Sequence, residues 1–397
     1  VIIAPTVEQL AWQRAQVGVF FHFGVNTFTD REWGDGSESP EVFDPAELDA
    51  AQWAQAAVDV GARYVVLTAK HHDGFCLWPT ATTDHSVASS PWRGGRGDVV
   101  EEVLTACRAA GLEVGLYLSP WDRHDPRYAD PEAYDRLYLA QLTELCTRYG
   151  QLFELWFDGA GSEGRRYAWD RYMDTARGLQ PQAMIFNLGR PTIRWVGNED
   201  GLAADPMRYQ VRLDELTENE HRLDPPDTEL YLPPECDVSI RPGWFHHAQE
   251  EPKATDHLLD IHDRSVGLGA NLLLNLPPDR RGLVPENDLA AIGDYRAALA
   301  ARRPVDGRLT RTGDHRAELA LDQPADRVVL AEELGAGQRV TGVQVVDAEH
   351  PERVLATAGS VGVSRTLALT GASEVRTLRI DWEGEDADLT AATGLRG

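Results

Sequence analysis

LFELWFDG, residues 152–159, decides how this chain is read. The run is apolar enough for a buried strand, yet it ends in a carboxylate, Asp158, with glycines at 159 and 161. Strand alternation places Phe153, Leu155 and Phe157 on one face, and Leu152, Glu154, Trp156 and Asp158 on the other. A strand that is apolar on both faces belongs in a parallel sheet covered by helices.

Seven further runs have the same texture: 17–24, 63–69, 113–119, 183–189, 193–197, 237–241 and 270–276. Helical patterns separate most of them. Asp44-Pro45 with Glu47 is expected to open one helix, with Trp53, Ala56, Ala57 and Val60 on its apolar face and Gly61 at its end. Asp98 with Glu101 opens another, whose stripe is Val99, Val100, Val103, Leu104 and Cys107, with Gly111 ending it. Eight strands alternating with helices imply an α/β chain folded as a (β/α)8 TIM-like barrel, although the link between the fifth and sixth runs is too short for a helix. No GxGxxG follows any strand, which disfavours a doubly wound sheet. Near 301–307 the pattern changes to short β-like segments separated by glycines and charges. The expected division is a catalytic barrel over 1–304 and a C-terminal β-sandwich over 305–397, the latter bracing the barrel or binding glycan.

In such a barrel, chemistry sits at the C-terminal ends of the strands. Asp158 is at that end. Glu154 lies ~13 Å lower by strand rise, where a buried cation, Lys70 or an arginine, is expected to hold it. Other strand ends bring His22, His71 and His72, Glu32 and Trp33, Tyr117 and Trp121, and Glu199. Aromatic faces cover the apolar side of a pyranose, and histidines and carboxylates meet its hydroxyls, so this rim points to a sugar. A metal on His22, His71, His72 and Asp73 is the competitor. The first strand lacks an HxH pair and the chain has no HExxH, so no metal and no cofactor are expected. No GxSxG elbow marks a serine nucleophile.

The whole chain has 397 residues, 42% hydrophobic and 26% charged, which suits two globular domains. Its formal net charge of −26 repels nucleic acid and anionic membranes, so neither is an expected partner. No apolar run approaches the roughly 20 residues of a membrane span. The start, VIIAPTVEQLAWQ, has no basic n-region, so no signal peptide is expected in this chain; a secreted and a cytoplasmic protein both fit. Cys76, Cys107, Cys146 and Cys236 are widely spaced without a CxxC, which argues against a disulfide framework or zinc site.

The stretches GVFFHFGVNTFTDREWGDG, GARYVVLTAKHHDGFCLWPT, GLEVGLYLSPWDRH, LFELWFDGA and RWVGNEDG resemble the retaining α-L-fucosidases of glycoside hydrolase family 29 across the whole barrel. VVLAEELGAGQRV resembles that family's sandwich. REWGDG and WVGNEDG resemble its α-1,3/4-specific subfamily, which acts on Lewis-type glycans. The resemblance implies that Asp158 is the nucleophile and Glu199 the acid/base. It implies that His22, Glu32, Trp33, His71 and His72 bind fucose, and extends to Trp156, Tyr117, Phe20 and Arg190. Glu163, Asp200, Glu215 and Glu218 are the alternative carboxylates should Glu199 fail.

Retaining hydrolysis needs two carboxyl groups about 5–5.5 Å apart. Glu199 must hold its proton near neutrality, which burial and a negative Asp158 would favour. Phe20, Trp33 and Trp156 are candidates for an apolar wall against the fucose methyl group. Gly159 and Gly161 are expected to leave room for the ring. A fucosylated oligosaccharide or glycoconjugate is the expected partner. The alternatives are a fucose-binding lectin on a glycosidase scaffold and a barrel glycosidase for another sugar.

Overall fold

The computed structural model describes residues 2–217 and 221–397. Eight strands form one parallel sheet: β1 Val17–Phe21, β2 Tyr64–Lys70, β3 Glu113–Leu118, β4 Glu154–Trp156, β5 Met184–Phe186, β6 Arg194–Trp195, β7 Pro234–Ser239 and β8 Asn271–Asn275. The spatial order is β5-β4-β3-β2-β1-β8-β7-β6. A parallel bridge from Phe186 to Ile193 joins the two remaining edges and closes the barrel.

All eight expected runs contain strands, but some are much shorter. β4 keeps three residues because the chain leaves the sheet beyond Trp156 to present Asp158. Its alternation holds from Glu154 onward: Leu155 and Phe157 join the layer beneath the helices, and Trp156 points into the barrel. Before Glu154 the assignment reverses. Leu152 lies in the outer layer, and Phe153 packs inward on Tyr64, ring centroids 5.5 Å apart. Both residues lie before Glu154, the first paired position of β4, although Phe153 N already donates to Val114 O and its carbonyl accepts from Met184 N.

Helices Ala50–Val60, Val99–Ala109, Pro131–Arg148, Trp169–Leu179, Thr255–Arg264 and Glu286–Ala301 surround the strands. Asp98 caps the second through Glu101 N, as expected, a bond worth about 1 kcal/mol. The first helix starts later than expected. Asp49, not Asp44, is its cap and accepts from Ala51 N and Gln52 N. Residues 44–48 lie against the chain at Arg281, where Glu47 N donates to Arg281 O. Among the described residues no α-helix joins β5 to β6, or β6 to β7; the latter link carries an antiparallel pair, Gln210–Arg212 with Glu229–Tyr231, and a 3-10 turn at Leu213–Glu215. Helix Val7–Ala15, closed by a Thr6–Gln9 capping box, sends Trp12 into the barrel. Gly18 on β1 has no room for a side chain: a Cβ there would lie 2.4 Å from the Tyr64 ring. The four cysteines are buried and free.

Beyond Arg303, a four-stranded and a five-stranded antiparallel sheet enclose a second core that includes Leu319, Val328, Leu330, Val345, Leu378 and Ile380. Tyr209 ties this part to the barrel. Its hydroxyl donates to Gly269 O at 2.8 Å and accepts from Val363 N at 3.0 Å. Met207 N donates to Ser360 Oγ, and Arg365 pairs with Asp205. No helix among the described residues is long and apolar enough to cross a membrane.

Candidate active site

At the C-terminal end of the barrel, a cavity of about 660 Å³, its open mouth included, is lined by Phe20, His22, Trp33, His71, His72, Tyr117, Trp156, Asp158, Gly159, Ala160, Phe186, Trp195, Glu199, Asp237 and Trp244. Nine of the eleven residues proposed from sequence meet here.

Asp158 is held from both sides. Tyr117 Oη donates to its Oδ2 at 2.8 Å, and Ala160 N donates to its Oδ1 at 2.8 Å. The carboxylate is thereby aimed from the end of β4 into the cavity. Tyr117 is fixed in turn by stacking on Trp156, which lies flat on Phe186 with centroids 3.8 Å apart.

The histidines are buried and neutral. Burial draws His22 down to about 3, His71 well below its usual value, and His72 down against the pull of Asp158. The hydrogen-bond network assigns two tautomers. Asn275 spends its amide N–H groups on Ser239 Oγ and the Trp244 carbonyl, so its Oδ1 accepts from His22 Nδ1 at 2.8 Å. Ser119 Oγ donates to Trp121 O, so it accepts from His72 Nδ1 at 2.7 Å. Each ring therefore offers a bare Nε2, an acceptor for a ligand hydroxyl. His72 Nε2 lies 3.6 Å from Asp158 Oδ2, so a hydroxyl or water donor between them would satisfy both.

Glu199 extends from the loop after β6, and Trp244 Nε1 donates to its Oε2 at 3.3 Å. Partial burial of its carboxyl raises its pKa, with the Trp244 bond opposing and the charges of Asp158, Glu32 and Asp200 adding. The residue as a whole is exposed at the cavity mouth, so water screens part of that shift.

Two expected members lie outside the lining. Glu32 is turned onto the loop at 243–247 and accepts from Trp244 N, Phe245 N and His247 Nε2. Arg190 is on the surface, 3.8 Å from Asp174, and its carbonyl accepts from Arg177. Gly161 also departs from expectation. With φ +69, it makes room for the Trp121 indole, which a Cβ would meet at 2.0 Å, rather than for a ligand. Gly159 does line the cavity. Glu163, Asp200 and Glu215 are exposed and line no part of it; Glu218 lies outside the described residues.

Among the described residues no cation stands beside Glu154. Lys70 pairs instead with Asp122, Gln141 and Tyr134 on the helix side of β2. Glu154 Oε2 accepts from Trp12 Nε1 at 2.9 Å and faces the carboxyl of Glu235. Glu235 accepts from Tyr64 Oη at 2.5 Å and Trp156 Nε1 at 3.1 Å. Burial and their mutual repulsion push the pair up, so it keeps a proton at neutral pH.

Sequence reasoning missed Phe186, Trp195, Asp237 and Trp244. Asp237, buried on β7, accepts from Trp195 Nε1 at 2.7 Å, and burial with the nearby Glu199 raises it well above the usual carboxylate range. Alternation along DVSIR could have found it. Trp244, in a loop that returns over the barrel, carried no such signal. His71, His72 and Asp158 place one ligand atom each within 4.8 Å of one another, close enough to share an ion.

A family model described as Alpha-L-fucosidase matches residues 6–298. The chain belongs to the alpha-L-fucosidase family, glycoside hydrolase family 29. Alpha-L-fucosidase 1 of Arabidopsis thaliana is 46% identical over 299 residues, 73% of this chain and 59% of that protein. The chain spans 58% to 59% of the length of its rice and Arabidopsis relatives. The crystal structure of SpGH29 superposes with a TM-score of 0.90 at 34% identity, covering 100% of this chain and 99% of the other. A glycoside hydrolase 29 family member from a rumen bacterium gives 0.87 at 33% identity, over 100% of this chain and 77% of that one. In this fucosidase-family barrel the matched region includes every residue that lines the cavity.

Proposed function

We propose that the chain is a retaining exo-α-L-fucosidase that removes terminal α-1,3/4-linked L-fucose from Lewis-type glycans, with Asp158 as nucleophile and Glu199 as acid/base. The observation that carries this reading is that the two carboxyls, from different strands, open into one cavity in unlike settings. Asp158 is clamped by two donors, whereas Glu199 is raised at the mouth.

In the first step an Asp158 oxygen bonds to C1 of fucose and the C1–aglycone bond breaks. The Glu199 proton goes to the departing oxygen. In the second step a water attacks C1, Glu199 takes its proton, and the ester bond returns its electrons to Asp158. Fucose leaves with its anomeric configuration retained. A bound aglycone covers the exposed edge of Glu199 and strengthens the proton's hold before cleavage. The negative charge on Asp158 disappears when the ester forms, which frees Glu199 to ionise and act as base.

The bare Nε2 atoms of His22 and His72 suit hydroxyl donors on the sugar, and Phe20, Trp156 and Phe186 suit its apolar face and methyl group. Half-exposed Trp33, edge-on to Trp121 at 5.3 Å, suits an aglycone ring at the mouth. The linkage preference rests on REWGDG and WVGNEDG. All cavity-lining residues come from the barrel, which favours a bracing role for the sandwich. Digestion of defined α-1,2, α-1,3, α-1,4 and α-1,6 fucosyl oligosaccharides tests the reading. Release from the α-1,3 and α-1,4 members is expected; preference for α-1,2 or α-1,6 would overturn the linkage, and no release of fucose from any would overturn the activity.

A further inference from the structure

The loop from Arg241 to Lys253 is anchored firmly at its base. Arg241 reaches Asp288 at 2.8 Å and Asn287 at 2.9 Å, and Lys253 Nζ donates to Ser239 O and Arg241 O. Gly243 N donates to Glu250. The tip carries Trp244, whose indole meets Glu199, and it is held differently. The Trp244 carbonyl accepts from Asn275, and the N–H groups of Trp244 and Phe245 both donate to Glu32. Closure onto Glu32 is tight, since a Cβ on Gly243 would lie 2.4 Å from Glu32 Oε1.

Glu32 does not set its own position. His247 Nε2 lies 2.7 Å from Glu32 Oε1, and His247 Nδ1 lies 2.7 Å from Asp30 Oδ1. One imidazole thus spans two carboxylates on the segment after β1 and ties the loop to that segment from its own far side. From this unbroken chain of contacts we infer that His247, bridged between Asp30 and Glu32, is a positioning residue for Glu199, acting through Glu32 and the Trp244 indole. The inference rests on the acid/base reading of Glu199. It also gives Glu32 a role distinct from direct sugar binding.

Burial lowers the His247 pKa, but hydrogen bonds to Asp30 and Glu32 outweigh it and favour the imidazolium. A cation there matches the two carboxylates, with Glu250 adding to the same field. Exposed ion pairs hold little energy each. The clasp therefore fixes an orientation rather than stabilising the fold, and its loss should appear in chemistry that depends on where the Glu199 proton points.

The test measures kcat/KM for wild type, His247→Ala, His247→Gln and Asp30→Asn, with Glu199→Gln as reference. The substrates are an activated aryl α-L-fucoside, whose leaving group needs no proton, and whichever fucosyl oligosaccharide the wild type cleaves. Melting temperature reports whether each variant is folded. Glu199→Gln and His247→Ala are expected to share one signature: a loss on the oligosaccharide at least tenfold greater than on the aryl fucoside. His247→Gln, which still donates to Glu32, should lose less, and Asp30→Asn should fall between wild type and His247→Ala. If His247→Ala fails to fold, the glutamine and asparagine variants carry the comparison. Equal losses on both substrates, or none, in the His247 variants while Glu199→Gln keeps its signature would overturn the inference and leave Glu199 in place. Absence of the signature in Glu199→Gln itself would remove the acid/base assignment and the inference with it.

Discussion

Glu154→Gln probes the floor of the barrel, where an acid lies against an acid and no cation is near among the described residues. Glu154 is completely buried, its Oε2 accepts from Trp12 and its Oε1 has no donor among the described residues. This arrangement is stable only if Glu154 carries a proton and presents it to Glu235. An unfolded glutamate releases that proton near pH 4.3, whereas the folded one keeps it well above that. Between those values the folded chain binds more protons than the unfolded one. The contribution is fully present below about pH 4.3 and is lost as pH rises, at up to about 1.4 kcal/mol per unit. Glutamine has the same shape: its amide donates to Glu235 and its carbonyl still accepts from Trp12, but it does not titrate. Relative to wild type, Glu154→Gln should therefore gain stability as pH rises from 5 to 7, at up to about 1.4 kcal/mol per unit. Urea unfolding of both proteins at pH 5, 6 and 7, followed by tryptophan fluorescence and compared through midpoints and slopes, measures the difference. A stability difference that stays flat with pH, or moves the other way, would mean that Glu154 is ionised in the fold.

Four shorter tests accompany it. Asp158→Ala should lower turnover by about three orders of magnitude or more, with azide restoring part of it as a fucosyl azide of inverted configuration. Asp237→Asn should retain most activity, because the acid it replaces is held neutral and the amide still accepts from Trp195; Asp237→Leu strands the Trp195 N–H and should cut kcat/KM by about tenfold. Gly18→Ala drives a methyl into the Tyr64 ring and should cost about 1–3 kcal/mol in a melting experiment. EDTA should leave kcat/KM unchanged; a loss that a divalent cation restores would instead assign His71, His72 and Asp158 to a metal.

What the sequence revealed follows from what strands and helices encode locally. Each apolar run had to be covered on both faces, so the number and order of the barrel strands were readable. Alternation carried Asp158 and Trp156 into the interior, and His22, His71 and Tyr117 followed as strand-end residues. The failures have one common origin. Glu154 was assigned a cation because a buried lone charge demands one, but its partner, Glu235, comes from β7, 81 positions along the chain, and solves the same problem with a proton. Glu32 and Trp244 meet through backbone N–H groups, which no side-chain pattern announces. Arg190 stands beside a strand end in the sequence, yet it falls on the outer surface because the seven residues that bridge β5 and β6 turn it away from the cavity.

The acids of the barrel are graded by depth. Among the described residues no lysine or arginine lines the cavity, so each carboxyl must be compensated by protons, hydrogen-bond donors or water. At the floor, Glu154 and Glu235 keep a proton between them and accept from three donors, Trp12, Tyr64 and Trp156. Midway, Asp237 is kept neutral and receives Trp195. At the strand ends, Asp158 receives Tyr117 and Ala160, and Glu199 reaches the solvent edge. Such an interior is a poor host for an anion and a good one for positive charge. Glycoside cleavage passes through an oxocarbenium-like state in which C1 and the ring oxygen become cationic. On the proposed fucosidase reading, a wall of acids and hydrogen-bond acceptors, preorganised before the sugar arrives, would lower the energy of that charge without having to reorient during the reaction. On the same reading neutral histidines suit the site: an imidazolium at His22 or His72 would repel the charge that develops on the sugar.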